Sequence, residues 1–206
     1  MNVLVIAPHP DDESIGCGGS ILQHVDRGEA VRVVFLTSGE LGLGDTARDQ
    51  AWEIREREAA VAARVLGVQD VSFLRQPDWY LGDHQQTVAP LVAAVMEAQR
   101  PAVVYVPHEH EWHPDHQAAH AIAHNAAGCA GLDLSALLSY EVWTPLSVWD
   151  VVEDVSEVFE RKLEAIRCYP SQLTGFDYLQ SATGLATYRG ALAGHCAFAE
   201  VFNRSG

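Results

Sequence analysis

Two short stretches of the sequence concentrate side chains that bind metal ions or transfer protons. The first is an apolar run, Val3–Ala7, that is followed closely by His9, Asp11, Asp12 and Glu13. Imidazole nitrogens and carboxylate oxygens are ligands for divalent transition metals. Carboxylates in the first turn of a helix also suit the positive end of the helix dipole, but capping needs only one of them and no histidine. We therefore interpret this stretch as one half of a metal site.

The second stretch, Pro107–His116, contains four histidines and three acidic residues. His113 and His116 share a face of a helix start because they are three residues apart. Two metal-binding arrangements are open: His116 joins ligands from the first stretch, or it pairs with His120 in the H-x-x-x-H pattern of zincins. The zincin pattern needs a glutamate after its first histidine, where this chain has Gln117. We therefore favour the first arrangement.

A catalytic zinc ion has three protein ligands of the N or O type and one open position for water. One histidine and one carboxylate from the first stretch, together with His116, supply that number. A second carboxylate then remains as a base for water, and a histidine near the open position can stabilise a developing oxyanion. The residue types thus predict a metal-dependent hydrolase. In this interpretation His120 and His124 are ordinary helix residues, whereas His108 and His110 either surround the pocket mouth or lie in solvent.

The hydrophobic pattern predicts how strands and helices bring the two stretches together. Short, continuous, β-branched runs predict buried strands, and longer amphipathic segments predict helices. They alternate four times, with strands at 2–7, 31–36, 71–74 and 102–106 and helices at 11–27, 46–66, 84–99 and 114–127. This alternation predicts an α/β fold that is Rossmann-like, with a mainly parallel sheet and helices on both faces. Both stretches then leave the sheet at the edge where active sites of such folds lie.

The pattern changes after Gly131 into a C-terminal, β-containing extension. Segments 136–143 and 148–155 predict two strands, for which antiparallel pairing with each other is one option. Further helices are predicted at 156–168 and 181–193, followed by a short segment at 195–203. No linker or internal repeat divides the chain, so we expect a single domain over residues 1–206.

Gly16, Gly18 and Gly19 follow the first stretch and raise the question of a dinucleotide-binding loop. The G-x-G-x-x-G fingerprint would need a further glycine where the chain has Ile21. We therefore expect these glycines to allow close packing against the sheet, or to leave room for a ligand, rather than to bind a dinucleotide.

Composition restricts the class of partner. The 206 residues include 28 acidic and 13 basic side chains, which give a formal net charge of −15. This charge disfavours binding to nucleic-acid phosphates and to anionic membrane surfaces. No stretch approaches the roughly 18 apolar residues of a membrane span, and none of the four cysteines forms a C-x-x-C pair. We expect a cytoplasmic enzyme with a small-molecule substrate, and the sequence leaves a homo-oligomer open.

The order and spacing of the two stretches resemble those of a known family. Ala7-Pro8-His9-Pro10-Asp11-Asp12-Glu13 and the later His113-Pro114-Asp115-His116 resemble the motifs of PIG-L/LmbE-like zinc-dependent deacetylases. The resemblance extends through Thr37–Glu40, Arg55–Ala59, Leu66-Gly67, Pro77-Asp78, Ser171–Leu173 and Ala199–Phe202. Members remove N-acetyl groups from N-acetylglucosamine-type substrates, including the malate and inositol conjugates that precede bacillithiol and mycothiol. The resemblance implies an amidohydrolase that releases acetate and a free amino sugar.

The resemblance also implies which residues hold the metal and move the proton. His9, Asp12 and His116 would bind zinc, with another divalent metal such as Fe²⁺ as the alternative. Asp11 would be the general base. Glu13 would support the loop rather than bind the metal.

The remaining roles concern the substrate. The resemblance implies that His113 stabilises the tetrahedral intermediate and that Asp115 orients its ring. Arg55 would bind substrate hydroxyl groups, with Glu40 and Ser38 as further substrate-binding candidates. The family usually has aspartate at the position of Ser38, which leaves the sugar specificity open.

Two other classes of function remain open from the residues alone. One is a non-catalytic sugar- or nucleotide-binding α/β protein, which would contain no metal. The other is a metallohydrolase that acts on another amide or an ester, because the metal chemistry does not depend on the leaving group. Trp79, Tyr80, Trp112 and Trp143 are compatible either with a sugar-stacking rim or with core packing.

Overall fold

The computed structural model describes residues 1–204, in which seven strands form one sheet and six helices cover it. The strands are β1 (Asn2–Ala7), β2 (Ala30–Thr37), β3 (Asp70–Gln76), β4 (Val103–Pro107), β5 (Leu137–Tyr140), β6 (Val151–Asp154) and β7 (Ala199–Arg204). The helices are α1 (Asp12–Asp26), α2 (Arg48–Leu66), α3 (Gln85–Gln99), α4 (Pro114–Ala130), α5 (Phe159–Arg167) and α6 (Tyr178–Arg189). Among these residues, no helix is both long and apolar enough to cross a bilayer.

The order of the strands reverses beside β1. The strands lie in the order β3-β2-β1-β4-β5-β7-β6, and β1 pairs in parallel with both β2 and β4. The loops that leave the carboxyl ends of β1 and β4 therefore meet at a switch point, where ligands of open α/β folds bind. The predicted α/β fold with a mainly parallel sheet is confirmed.

Burial on both faces explains the apolar run of β1. Val3, Leu4, Val5 and Ile6 are fully buried, and they alternate between two hydrophobic clusters on opposite faces of the sheet. Helices α1, α2 and α5 contribute to one cluster, and α3 and α4 contribute to the other. A strand that is buried on both faces has no solvent-facing positions for polar residues, so its sequence is continuously apolar instead of alternating.

The C-terminal strands pair differently from the expected arrangement. Segments 136–143 and 148–155 contain β5 and β6, but β7 lies between these strands and is antiparallel to both. Beyond Tyr140, the backbone amides of residues 142–144 donate to the buried carboxylate of Glu111 instead of to a neighbouring strand. The chain therefore leaves the sheet after β5, and direct pairing of the two segments is wrong.

Glycines near the start of α1 let this helix pack closely on the C-terminal part of the chain. A Cβ atom at Gly16 would lie 2.2 Å from the ring of Tyr140, and one at Gly19 would lie 2.6 Å from Val155. Real Cβ atoms do not approach other heavy atoms so closely. These contacts support the expectation of close packing.

A buried ion pair holds the second half of α1. The helix is interrupted at Cys17, where φ is −137° and ψ is 22°. Glu200 of β7 accepts the backbone N–H groups of Gly19 and Ser20 at 2.8 and 2.9 Å, and Lys162 of α5 donates to the same carboxylate at 2.6 Å. The helix that begins beside the first stretch is thus fastened to β7 and α5.

Gly16→Ala is expected to lower the free energy of unfolding by about 1–3 kcal/mol, because the added methyl group overpacks the Tyr140 ring. Urea denaturation followed by circular dichroism measures the effect. The control is Gly184→Ala in α6, where nothing lies within 4 Å of an added Cβ. Alanine favours a helix over glycine by up to about 1 kcal/mol, so this variant should be at least as stable as the wild type. Equal stability of the two variants would contradict the packing argument.

Candidate active site

In the loop after β1, the carboxylates of Asp12 and Glu13 each accept a backbone amide and hold a strained turn. Asp11 has a φ of 133°, a backbone conformation that residues other than glycine rarely adopt. The amide of His9 donates to Oδ2 of Asp12 at 2.9 Å, and the amide of Asp11 donates to Oε2 of Glu13 at 3.1 Å. The Glu13 carboxylate also accepts the hydroxyl of Tyr169 at 2.6 Å. These contacts hold the strained turn in one conformation.

Asp12 lies between two histidines that come from opposite halves of the site. Its Oδ2 atom is 3.1 Å from Nδ1 of His9 and 3.2 Å from Nε2 of His116. His116 is fully buried, yet neither ring nitrogen has a hydrogen-bond partner among the described residues. Two ligand atoms that bind one zinc ion tetrahedrally at about 2.0–2.1 Å lie about 3.3 Å apart. The spacing and the unpartnered imidazole therefore fit a shared metal ion.

Carboxylates also surround His9 on its other side. Its Nε2 atom lies 3.2 Å from Oδ2 of Asp115 and 3.1 Å from Oδ1 of Asp78. Ligand atoms of these three residues lie within 4.8 Å of one another, as do nitrogens of His9, His113 and His116. Burial opposes a charge on His9, but the hydrogen-bonded carboxylates outweigh it and raise the pKa of its ring well above the usual value. The cluster therefore has an excess of buried negative charge that a cation can compensate.

The side chain and the backbone of Asp115 hold different rings. Its carboxylate accepts a hydrogen bond from Nε2 of His9, which leaves Nδ1 of that ring facing Asp12. Carboxylates commonly orient metal-binding histidines in this way. The ring of His113 is instead held by the backbone amide of Asp115, which donates to Nδ1 at 3.1 Å. Asp115, which the resemblance implied would orient His113, thus contacts that ring through its backbone amide, whereas its carboxylate contacts His9.

His113 offers the cavity an uncharged N–H donor. The residue caps α4, and because its Nδ1 accepts an amide, the proton of the neutral ring is on Nε2. Burial lowers the pKa of the ring to about 4, and the neighbouring rings of His9 and His116 act in the same direction. The ring is therefore neutral near pH 7.

Asp11 combines burial with one cationic neighbour. Burial raises the pKa of its carboxyl to about 7, although the guanidinium of Arg55, 3.5 Å away, opposes the shift. A carboxyl with a pKa near neutrality can both accept and return a proton. Arg55 donates to the carbonyl oxygen of Pro10 at 2.6 Å, but its Nε and Nη1 atoms have no hydrogen-bond partner among the described residues. Both side chains line the cavity.

The loop after β2 turns its polar side chains away from the cavity. Ser38 donates to the side chain of Glu56 at 2.8 Å, and Glu40 accepts the indole N–H of Trp52 at 3.1 Å. Neither Ser38 nor Glu40 is among the described residues that line the cavity, whereas Gly39 is. The structure thus brings Arg55, but not these two candidates, to the cavity wall.

His9, Asp11, Asp12 and His113 line a small cavity of about 100 Å³. A larger cavity of about 660 Å³ shares no lining residue with it and is lined in part by His108, His110, His120 and His124. The described residues that line the larger cavity include none of His9, Asp11, Asp12 and His113. The candidate chemistry therefore belongs to the smaller cavity.

Two buried carboxylates close to His9 and His116 were not predicted from the sequence to be site residues. Asp78 faces His9, and Oε2 of Glu111 lies 3.8 Å from Nδ1 of His116. Asp78 carries a usable signal, because it follows β3, and the carboxyl ends of parallel strands meet at one edge. No local pattern distinguishes the fully buried Glu111 from the exposed Glu109 in the same histidine-rich stretch.

Known proteins are similar to this chain over both stretches. Residues 4–127 match the family model PIG-L, described as GlcNAc-PI de-N-acetylase. The chain is 31% identical to a diacetylchitobiose deacetylase of Thermococcus kodakarensis, over 94% of this chain and 79% of that protein. It is 30% identical, over 83% of each chain, to a probable N-acetyl-alpha-D-glucosaminyl L-malate deacetylase 2 of Bacillus cereus. A crystal structure of a conserved protein from Thermus thermophilus matches with a TM-score of 0.85 and 32% identity, covering 99% of this chain and 94% of that one.

His116→Ala is expected to abolish tight binding of Zn²⁺, because it removes an imidazole that faces Asp12. Loss of a residue that only orients a metal ligand lowers affinity roughly 10–100-fold, and loss of a direct ligand should lower it further. Metal content after equilibrium dialysis measures the effect. The control is His120→Ala, which changes a histidine of the same helix whose ring contacts the carbonyl oxygen of Pro107. Wild-type metal content in His116→Ala would exclude this residue as a ligand.

Proposed function

This chain belongs to the PIG-L family, and on that premise we propose that it is a metal-dependent N-deacetylase of an N-acetylglucosamine-type substrate. The reaction adds water across the amide C–N bond and gives acetate and a free amino sugar. One observation carries the proposal. Asp12 lies between His9 and His116, and both Asp11 and Asp12 line the small cavity. One carboxylate can thus bind a metal while its neighbour moves a proton.

His9, Asp12 and His116 would hold the metal ion, and we propose Zn²⁺. Two imidazoles and one carboxylate suit zinc, although Fe²⁺ accepts the same set. When bound, the ion acts as a Lewis acid that acidifies water and polarises a carbonyl group. The group of ligand atoms within 4.8 Å of one another that contains both His9 and His116 is completed by His113 and not by Asp12. The Nδ1 atom of His113, however, accepts the amide of Asp115. We therefore assign His113 to the substrate.

Asp11 is the general base in this proposal. Its carboxyl is buried, and its pKa of about 7 lets it take a proton from the attacking water. The same group then returns the proton to the amine as the C–N bond breaks. Arg55 lies 3.5 Å from Asp11 and favours the charged form of the carboxylate.

His113 and Arg55 supply hydrogen-bond donors to the substrate. The Nε2–H group of neutral His113 donates to the acetamide oxygen as negative charge develops there. Arg55 lines the cavity and donates to sugar hydroxyls. Ser38 and Glu40 contact neighbouring side chains, so we propose that they act on the sugar only through the loop they hold.

The function is tested by measuring acetate and primary amine from Zn²⁺-loaded protein with a panel of substrates. The panel contains N-acetylglucosamine, N,N′-diacetylchitobiose and the malate and inositol conjugates of N-acetylglucosamine. Equal release of acetate and amine from at least one member supports the proposal. A metal-loaded protein that releases neither from any member would contradict it and would favour a metallohydrolase that acts on another amide or on an ester.

Asp11→Asn is expected to lower kcat by about 10²–10⁴, the usual contribution of a positioned acid–base group. Asparagine keeps the shape of the side chain and tolerates positive φ, so the loop and the metal content should be retained. Steady-state kinetics and metal analysis on the same sample measure both effects. The control is Asp83→Asn, which changes an exposed carboxylate outside the cavity. Near-wild-type kcat in Asp11→Asn would remove the assignment as base.

His113→Ala is expected to lower kcat by about 10²–10³ with a smaller effect on KM, because the donor acts mainly on the developing oxyanion. His113→Gln keeps a side-chain N–H and should recover part of the loss. Both variants also alter the cap of α4, which costs about 1 kcal/mol of stability. Thermal unfolding of both variants is therefore measured beside the kinetics. If the loss of kcat in the two variants is explained by their loss of stability, His113 has no role in the reaction.

A further inference from the structure

Five aromatic side chains form a continuous band at the mouth of the active-site cavity, and we call this band the aromatic rim. Trp112 lies at its centre, with its ring centroid 6.3 Å from those of both Trp79 and Trp143. Phe176 and Tyr178 extend the band, with ring centroids 5.1 and 5.5 Å from that of Trp143. The members follow β3, β4 and β5 or lie at the start of α6, so only the fold brings them together.

The rim is exposed and continues directly into the cavity that holds the reacting groups. Four of its five side chains are between 36% and 66% exposed. Contiguous exposed apolar surface of this kind marks binding surfaces on soluble proteins. Trp79, Trp143 and Tyr178 line the same cavity as His9 and Asp11. A molecule whose amide lies beside Asp11 therefore extends across the rim.

Trp79 is held in an unfavourable backbone conformation that fixes its ring over the site. Its φ is 69°, in the left-handed region that a bulky residue rarely adopts. The carboxylate of Asp115 accepts the amides of Trp79 and Leu81 at 2.7 and 3.1 Å. The ring centroid of Trp79 is then 4.4 Å from that of His113. Strain that is stabilised by a buried site residue indicates that the position of this indole is functional.

The cavity offers little to an anionic group beside the sugar. Among the described residues that line it, Arg55 is the single Arg or Lys, and it is buried beside Asp11 rather than at the rim. Asp11, Asp12 and Asp78 line the same cavity, and the chain has a formal net charge of −15. A carboxylate at the rim would therefore find no Arg or Lys partner there among the described lining residues.

We propose that the aromatic rim binds a second, uncharged pyranose ring, so that the preferred substrate is a neutral disaccharide rather than a glycoside with a carboxylate-bearing group. The inference rests on the proposed deacetylase function. A pyranose with equatorial hydroxyls has faces that consist of C–H groups, and these faces pack on indole rings while the hydroxyls stay hydrated. Such a ring covers the exposed tryptophans and introduces no charge.

The test compares kcat/KM for acetate release from N-acetylglucosamine, N,N′-diacetylchitobiose and N-acetylglucosaminyl malate. We expect the disaccharide to exceed the monosaccharide by about tenfold or more, which corresponds to the free energy of one or two aromatic contacts. The malate conjugate should not exceed the monosaccharide. Trp112→Ala should bring the ratio of disaccharide to monosaccharide close to one, and because Trp112 is 66% exposed the variant is expected to fold.

The matched control is Tyr80→Ala. Tyr80 is 59% exposed and adjoins Trp79, but it lines a different cavity and lies outside the aromatic rim. The ratio should be unchanged in this variant. A ratio that persists in Trp112→Ala, or a malate conjugate that is preferred to the disaccharide, would overturn the inference while acetate release still supported the deacetylase function.

A binding measurement separates the rim from turnover. N,N′-Diacetylchitobiose is titrated into Zn²⁺-loaded Asp11→Asn protein, and tryptophan fluorescence is followed. We expect a saturable change whose apparent Kd rises about tenfold when Trp112→Ala is added. Absence of a saturable change, or an unaltered Kd in the double variant, overturns the inference whether or not any substrate is hydrolysed.

Discussion

The architecture depends on compensating buried negative charge at the switch point of the sheet. Asp11, Asp12, Asp78 and Asp115 are at most 6% exposed and lie within one small region. An isolated buried carboxylate costs several kcal/mol, so each must have partners. Histidine rings, one guanidinium and backbone amides provide part of the compensation, and a divalent cation fits the remainder. The need for compensation links the first loop, the third strand and α4 into one site.

Carboxylates outside the reaction centre use the same chemistry to build the scaffold. Glu111 accepts three consecutive loop amides, Glu200 accepts amides of α1, and Glu141 pairs with Arg189 while accepting an amide. A carboxylate has two oxygens and can accept several N–H groups, which makes it an efficient anchor for irregular backbone. Part of the acidic composition is therefore structural. This use of Glu111 also explains why the chain leaves the sheet after β5.

The proposed chemistry and the proposed specificity are carried by segments that overlap only in part. Groups proposed to react follow β1 and β4, and of the aromatic rim Trp112 alone shares a loop with them, whereas the other four members follow β3 and β5 or lie at the start of α6. Loop sequences vary more easily than the strands that support them, so substrate specificity can change without altering the proposed reacting groups. Asp115 connects the two parts, because its carboxylate contacts His9 and also holds the strained Trp79.

The sequence by itself determined the α/β class, the four strand–helix alternations and the two stretches that meet at the sheet edge. Those features depend on local periodicity and on motifs whose members are a few residues apart. Only the tertiary structure decided that β7 separates β5 from β6, that Asp78 and Glu111 join the site, and that Ser38 lies outside the cavity. It also assembled the aromatic rim. These features depend on contacts between residues far apart in the chain, which local spacing does not encode, because which loops and side chains meet is set by how the whole sheet packs.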